Sequence, residues 1–479
     1  MAKKKYFVTC PLKNKFMKRY GIVVGQIISG LIMIFFFNNC SVVRTPYLKT
    51  GYYQKTVLRL DSIKSEISCV NDSLYAGFAR VSITPDLNNI VENSEEGRLN
   101  KVPLAGFGQR KGKPATGVHD SLFVKAVALK AGQQTLVIVS ADLLIMPPNI
   151  IDSVTSLLSK EGLQRNQLFF SATHSHSSIG GWGYGLIAKL FAGKENINLE
   201  KWLIKQIKKA VVNAISDLRP AKLGSGSFDA SPYTRNRLIG KLGKKNDEFN
   251  FIVFEQTGRR KAIIGSFSAH ATTLGHTNML FSADYPGYWE RKTEATTADL
   301  AMFCAGSMGS QSPVGQGSGF ESAKYIGEAL ADSLCAHLGQ VKMNERLTLS
   351  ALSLKILLPE YHFRLTTNIN LSSGLSNKLM PLPKNVYLQA LRINNLIWIF
   401  TPGDFSGESA LQIKNMLAAK GYEAIVSSFN GSYVGYIIPG KYFNLNNYET
   451  KLMGWFGPTM GDYTMDLINR MSNAIILNK

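Results

Sequence analysis

Apolar residues along this chain fall into short runs separated by polar, glycine-containing stretches, and the runs have two periods. Continuous runs at 121–130, 135–140 (TLVIVS), 167–172 (QLFFSA), 249–254, 262–269 (AIIGSFSA), 300–304 (LAMFC), 395–400 (NLIWIF) and 424–428 predict strands, the one at 167–172 buried. Spacings of three and four predict helices over 149–160, 199–217, 320–338, 406–419 and 461–475. Strands alternating with helices predict an α/β fold, a mixed β-sheet core flanked by helices. In such folds the loops that carry chemistry collect at the carboxyl ends of the strands.

That rule selects residues. The strand at 135–140 runs out at Asp142, and the one at 167–172 delivers His174 and His176. The strand ending at Ala269 delivers His270, with His276 and Asp284 close behind. The strand at 300–304 opens into AGSMGSQSP (305–313), the one at 395–400 into TPGD (401–404), and the last onto Asn430, Tyr433 and Tyr436. Histidine is scarce, seven in all, yet four lie in two of these loops. In extended backbone, residues two apart point the same way, so His174 and His176 can face one pocket. Two imidazoles there suit one metal ligand beside an acid/base, or two ligands. This predicts a metallohydrolase with its metal site at the strand ends. Single residues have plainer explanations: Asp404 fits the N-cap of the helix at 406–419, His119 fits a hydrogen-bonded core histidine, and His337 and His362 fit structural or surface positions. No Walker, GxGxxG or GxSxG spacing occurs.

The first residues change the picture. Lys3, Lys4, Lys5, Lys13, Lys15, Lys18 and Arg19 precede a nearly unbroken apolar stretch at 21–37. Basic region followed by apolar region predicts a signal anchor or a lipoprotein signal over 1–40, with Cys40 as the lipidation candidate. Residues 41–73 then read as a polar tether and 74–479 as the catalytic body, exported but held at the cell envelope. The formal net charge is +21. No zinc-finger spacing or arginine-rich helix accompanies it, so an anionic membrane surface, not nucleic acid, is the partner it predicts. Of five cysteines, Cys304 and Cys335 fall in the body; their spacing fits no zinc motif, and two buried thiols are expected.

The run SATHSHSSIGG (171–181) resembles the THTHSGPGG segment of the neutral/alkaline (non-lysosomal) ceramidases. Further blocks follow in that family's order: AGFARVSITP (76–85), LAGFG (104–108), GVH (117–119), Asn236-Arg237, FSAH (267–270) with SADYPGY (282–288), GSQSP (309–313), PGDF (402–405), YVGY (433–436), Tyr448-Glu449 and Gly457-Pro458. The resemblance covers about residues 74–460. It implies that His174, His270, Asp404 and Tyr436 hold one Zn2+, that His176 is the general acid/base, and that Arg237 and Tyr448 lie near the scissile amide. Ser312 stands at a serine some accounts treat as nucleophile. The implied activity is cleavage of the N-acyl amide of ceramide-like sphingolipids to fatty acid and sphingoid base. Departures leave room for another lipid amide or ester, or for a lipid-binding envelope protein without catalysis. Asp404 replaces the family's glutamate and is one methylene shorter; Ser310 and Val314 replace the Asp and Asn of GDVSPN; and the family's C-terminal β-sandwich is not apparent. The segment at 182–191 is apolar enough to line a lipid entrance, and equally fits an amphipathic helix on the core.

Overall fold

A computed structural model describes residues 24–26, 29–30, 39–87, 91–258 and 260–477. Most of the predicted signal region, 1–40, lies outside the described residues. Among the described residues no helix is long and apolar enough to cross a membrane.

Twelve strands form one branched sheet. Its hub is the long strand β1 (Cys69–Ser82). One arm runs through β2 (Phe123–Ala131), β3 (Gln134–Ala141) and β4 (Leu168–Ala172). A second is β5 (Arg219–Asp229), β6 (Glu248–Gln256), β7 (Lys261–Phe267) and β8 (Leu300–Ala305). The third is β9 (Arg346–Lys355), β10 (Tyr387–Ile393), β11 (Leu396–Phe400) and β12 (Glu423–Ser427).

Each arm is antiparallel until its last pair. The outer pairs β3–β4, β7–β8 and β11–β12 are parallel, with registers such as Ala141↔Ala172, Phe267↔Ala305 and Phe400↔Ser427. A parallel pair needs a crossover, and each has a helix: α2 (Pro148–Ser159), α5 (Asp284–Thr296) and α7 (Gly407–Ala418). Here α1 is Gly51–Ile63, α3 is Gly185–Ala192, α4 is Ile197–Ser216, α6 is Phe320–Leu338 and α8 is Met460–Leu477.

The period-2 alternation of the strands explains the layers. In β2, Val127, Leu129 and Ala131 face a core built from all twelve strands and from no helix, together with Phe169, Phe254, Met302 and Trp398. Val124, Ala126 and Ala128 face α2 and α4 on the other side. The second arm covers its outer face with α5 and α6, and the third with α7, α8 and α1. Both faces being buried, the strands read in sequence as near-continuous apolar runs.

The predicted strands and helices are all present, with bounds shifted by a few residues, and the α/β fold with its mixed sheet and flanking helices is as expected. The stretch read as a tether differs. Residues 51–63 form α1, whose Tyr53 and Leu60 are buried against α8 and the third arm, and residues 69–73 pair with β9. Tyr463 Oη completes that attachment by donating to Thr56 Oγ1 at 3.0 Å or to the Leu357 carbonyl at 2.8 Å. The cysteines differ in part: both are free thiols, Cys304 buried in β8 but Cys335 exposed on α6.

Candidate metal centre

Three βαβ units point their carboxyl ends at one place. Hydroxyls stitch those ends together: Ser140 Oγ donates to the Phe303 carbonyl (2.5 Å), Ser171 Oγ to Ser428 O (3.2 Å) and Ser428 Oγ to Gly306 O (2.8 Å). Leu144, Ala172, Ala305, Met308 and Phe429 pack in a small apolar cluster immediately beyond.

His174, His270 and Asp404 each come from a different arm. His174 lies two residues past β4, with φ of +61°. The left-handed kink corrects the strand-alternation argument: the backbone is no longer extended there, and the turn, not the pleat, brings the two histidines together. Their Nε2 atoms are 3.2 Å apart. Positive φ on a residue with a Cβ costs free energy, and here the Phe429 ring stacked at 4.3 Å on the imidazole helps hold it.

The imidazoles of His174 and His270 each have one nitrogen at a backbone carbonyl. His174 Nδ1 donates to Leu144 O at 2.6 Å and His270 Nδ1 to Gln311 O at 3.0 Å. That bond places the proton on Nδ1 and leaves an Nε2 lone pair facing inward. Asp404 Oδ1 lies 3.6 Å from His174 Nε2 and 3.3 Å from His270 Nε2, and it is buried with no hydrogen-bond partner. Its other oxygen accepts from Tyr433 Oη at 2.8 Å. The Asp404 carboxylate thus lies near both histidines although it is one methylene shorter than a glutamate. Ligating nitrogens of His174, His176 and His270 all lie within 4.8 Å of one another. Two Nε2 lone pairs and one orphaned carboxylate oxygen in a buried site could hold a divalent metal ion.

Electrostatics agree with neutral ligands. Burial pushes the His174 pKa down to about 3 against the pull of Asp404, and burial with neighbouring positive charge pushes His270 and His176 well below the ordinary value. Burial raises the Asp404 carboxyl, which His174 and the Tyr433 hydroxyl oppose.

Tyr436 Oη sits 2.9 Å from His270 Nε2 and accepts from Arg237 Nη2 at 2.8 Å. Arg237 Nε pairs with buried Glu449 at 2.7 Å. Tyr448 is 42% exposed, its ring edge-on to Tyr436 at 5.8 Å. His176 Nδ1 is without a partner; its carbonyl is gripped by buried Arg110, which also bonds Ala105 O at 3.0 Å and Gly275 O at 3.2 Å.

Seven of the eight residues singled out thus converge: His174, His176, His270, Asp404, Tyr436, Arg237 and Tyr448. Ser312 follows Gln311, whose carbonyl holds His270 Nδ1, but its own hydroxyl has a different partner. Its hydroxyl accepts from Arg235 Nε at 3.3 Å, and among the described residues no hydrogen bond links it to the histidines. His119 is exposed, not in the core, and stacks on Phe320 at 3.7 Å. Asp142 accepts from Phe123 N, and Asp284 holds the 273–274 turn, so both are structural. Sequence reasoning missed Arg110, Glu449 as the anchor of Arg237, and the carbonyls of Leu144 and Gln311. Backbone acceptors leave no mark in a sequence.

A cavity of about 100 Å3 opens on the site, its walls mostly apolar: Ile145, Trp182, Phe191, Met380, Met453 and Trp455 among them. On α3, Ile187, Ala188 and Phe191 face it, while Leu186 and Leu190 are exposed.

Residues 96–344 match the family model described as neutral/alkaline non-lysosomal ceramidase, N-terminal. The chain belongs to that family. Two solved structures share its fold. Neutral ceramidase from Pseudomonas aeruginosa superposes with a TM-score of 0.69 at 18% identity, over 85% of this chain and 74% of that one. A ceramidase complexed with C2 gives 0.72 at 17% identity, over 85% and 75%. No curated protein matches the chain in a sequence search.

Proposed function

We propose that this neutral ceramidase-family protein is a zinc-dependent amidohydrolase that cleaves the N-acyl amide of ceramide-like sphingolipids, releasing fatty acid and sphingoid base. The observation that carries the reading is the donor set His174 Nε2, His270 Nε2 and Asp404 Oδ1, with Tyr436 beside it; His174, Asp404 and Tyr436 line an apolar cavity. When bound there, zinc supplies Lewis acidity, polarising an acyl carbonyl and lowering the pKa of water to ~7.

The remaining work belongs to the chain. Hydrolysis breaks the C–N bond, adds hydroxide to the acyl carbon and requires a proton on the departing nitrogen. This reading gives that transfer to His176, supported by its lowered pKa, its Nε2 3.2 Å from His174 Nε2, and an Nδ1 with no partner among the described residues. Arg237, held by Glu449, and the Tyr448 phenol beside Tyr436 are the donors this reading assigns to negative charge on the carbonyl oxygen. The apolar walls exclude water and receive a lipid chain. Ser312 has no part in this scheme. In the same reading residues 1–40 tether the body at the envelope membrane, which the basic cluster and apolar run support.

The test is fatty-acid release from a short-chain N-acylsphingosine in detergent by the full chain. Release that a chelator stops and zinc restores is expected. No release from protein carrying one zinc per chain sinks the substrate, and other lipid amides and esters come next.

A further inference from the structure

A second cavity, of about 120 Å3, adjoins the first and shares walls with it, including Ile145, Trp182, Ala188, Met380, Tyr433 and Trp455. The metal-facing residues line only the first. Glu200, Tyr184 and Asn149 line only the second, among prolines and leucine.

Glu200 is out of place there. It is 6% exposed. Oε2 accepts from Tyr184 Oη at 2.8 Å, whereas Oε1 is buried with no partner among the described residues. Among the described residues no Lys, Arg or His lies within ion-pair distance of it. A buried carboxyl with an unmet oxygen costs free energy. Glu200 does sit in the first turn of α4, where the helix dipole favours an acid. The cap itself is already supplied by the Asn196 side chain, which accepts from Asn198 N and Leu199 N, so helix capping does not account for Glu200. Burial raises its carboxyl above the usual range and lifts the Tyr184 phenol to about 12. The pair therefore presents a strong acceptor, braced by a tyrosine, at the end of an apolar cleft. A hydroxyl matches it: it donates one hydrogen bond and brings no charge into apolar surroundings.

We propose that the Tyr184–Glu200 pair receives a hydroxyl carried along a lipid chain, away from the bond that is cut, and that it selects hydroxylated lipids. This rests on the reading that the adjoining cavity holds a lipid amide. Either arm of such a lipid can bring the hydroxyl, the acyl chain or the long-chain base.

Binding is read from the fluorescence of the full chain, through Trp182 and Trp455. One series is of fatty acids whose hydroxyl moves along the chain, each against its plain parent; the other is of sphingoid bases with and without an added chain hydroxyl. At least one hydroxylated member should bind about tenfold tighter than its parent, the size of one good hydrogen bond. Glu200→Leu should erase that preference, read as the ratio of hydroxylated to parent affinity within the variant. Glu200→Gln, which keeps a carbonyl acceptor, should retain part of it and controls for folding. The series that shows the preference assigns the arm. The proposal fails when no member of either series discriminates, or when the preference survives Glu200→Leu. Because binding needs no turnover, this failure is separate from failure to hydrolyse N-acylsphingosine.

Discussion

Nδ1 of His174 and Nδ1 of His270 each meet a carbonyl, which fixes the tautomer before any ligand arrives. His176 has no such bond, so the two kinds of histidine should behave differently on mutation. His174→Ala or His270→Ala should reduce bound metal from about one per chain to near none, whereas His176→Ala should keep the metal and lower turnover by ~10²–10⁴-fold. Elemental analysis beside acyl release separates the two. The titration of these groups also sets a pH dependence. The three imidazoles have folded pKa values below the unfolded ~6.5, His174 about 3. Each therefore contributes stability that is present above pH ~6.5 and lost as pH falls toward the folded value, by up to ~1.4 kcal/mol per pH unit. Asp404, whose carboxyl is raised, acts the other way above pH ~3.9, losing stability as pH rises. Other buried carboxyls, Asp142, Asp284 and Glu290 among them, are raised as Asp404 is and oppose the imidazoles, so the effect of one histidine is read as a difference: the stability of metal-free wild type relative to His176→Phe should fall as pH drops below ~6.5. Denaturant midpoints of the two proteins across that range test it, and parallel profiles would count against the buried-neutral assignment.

At the scale of elements, the three crossover units were readable because a strand buried on both faces must be apolar throughout. Strands β1, β5, β9 and β10 were less so. The periodicity gave no strand at β5, RPAKLGSGSFD, where Pro and Gly interrupt the pattern, nor at β9, where apolar and polar residues alternate; only the family resemblance marked part of β1. Close contacts between loops were not readable at all. A Cβ on Gly309 would lie 2.4 Å from the Asp404 carbonyl oxygen, and one on Gly106, at φ +111°, would lie 2.6 Å from His176 Cα. Neither neighbour is the tip of a flexible side chain, so the loops must move. Gly309→Ala should weaken metal affinity by displacing Asp404. Gly106→Ala should leave affinity intact and lower turnover by displacing His176. Metal competition titrations and kinetics on the two variants check this, and identical effects from both would contradict it.

Across the whole molecule, the strand-only core is what ties the arms together. Trp398 is fully buried within it, with Phe400 stacked at 4.8 Å and its indole N–H on Ser427 Oγ at 2.9 Å. Trp398→Ala should cost about 3–5 kcal/mol in urea unfolding, whereas Leu242→Ser, at a position 89% exposed, should change stability by less than about 0.5 kcal/mol. Equal effects would mean that the arms are held elsewhere. The sequence by itself determined the period of each element, and hence the α/β class, and it placed scarce histidines and Asp404 at strand ends. These are local properties, fixed by which faces of a strand or helix must be buried. Only the tertiary structure decided that three separate strand ends meet, that a left-handed turn aims His174, and that residues 51–63 join the body. Those outcomes depend on contacts between residues far apart in the chain, and the packing of three arms around one core sets them.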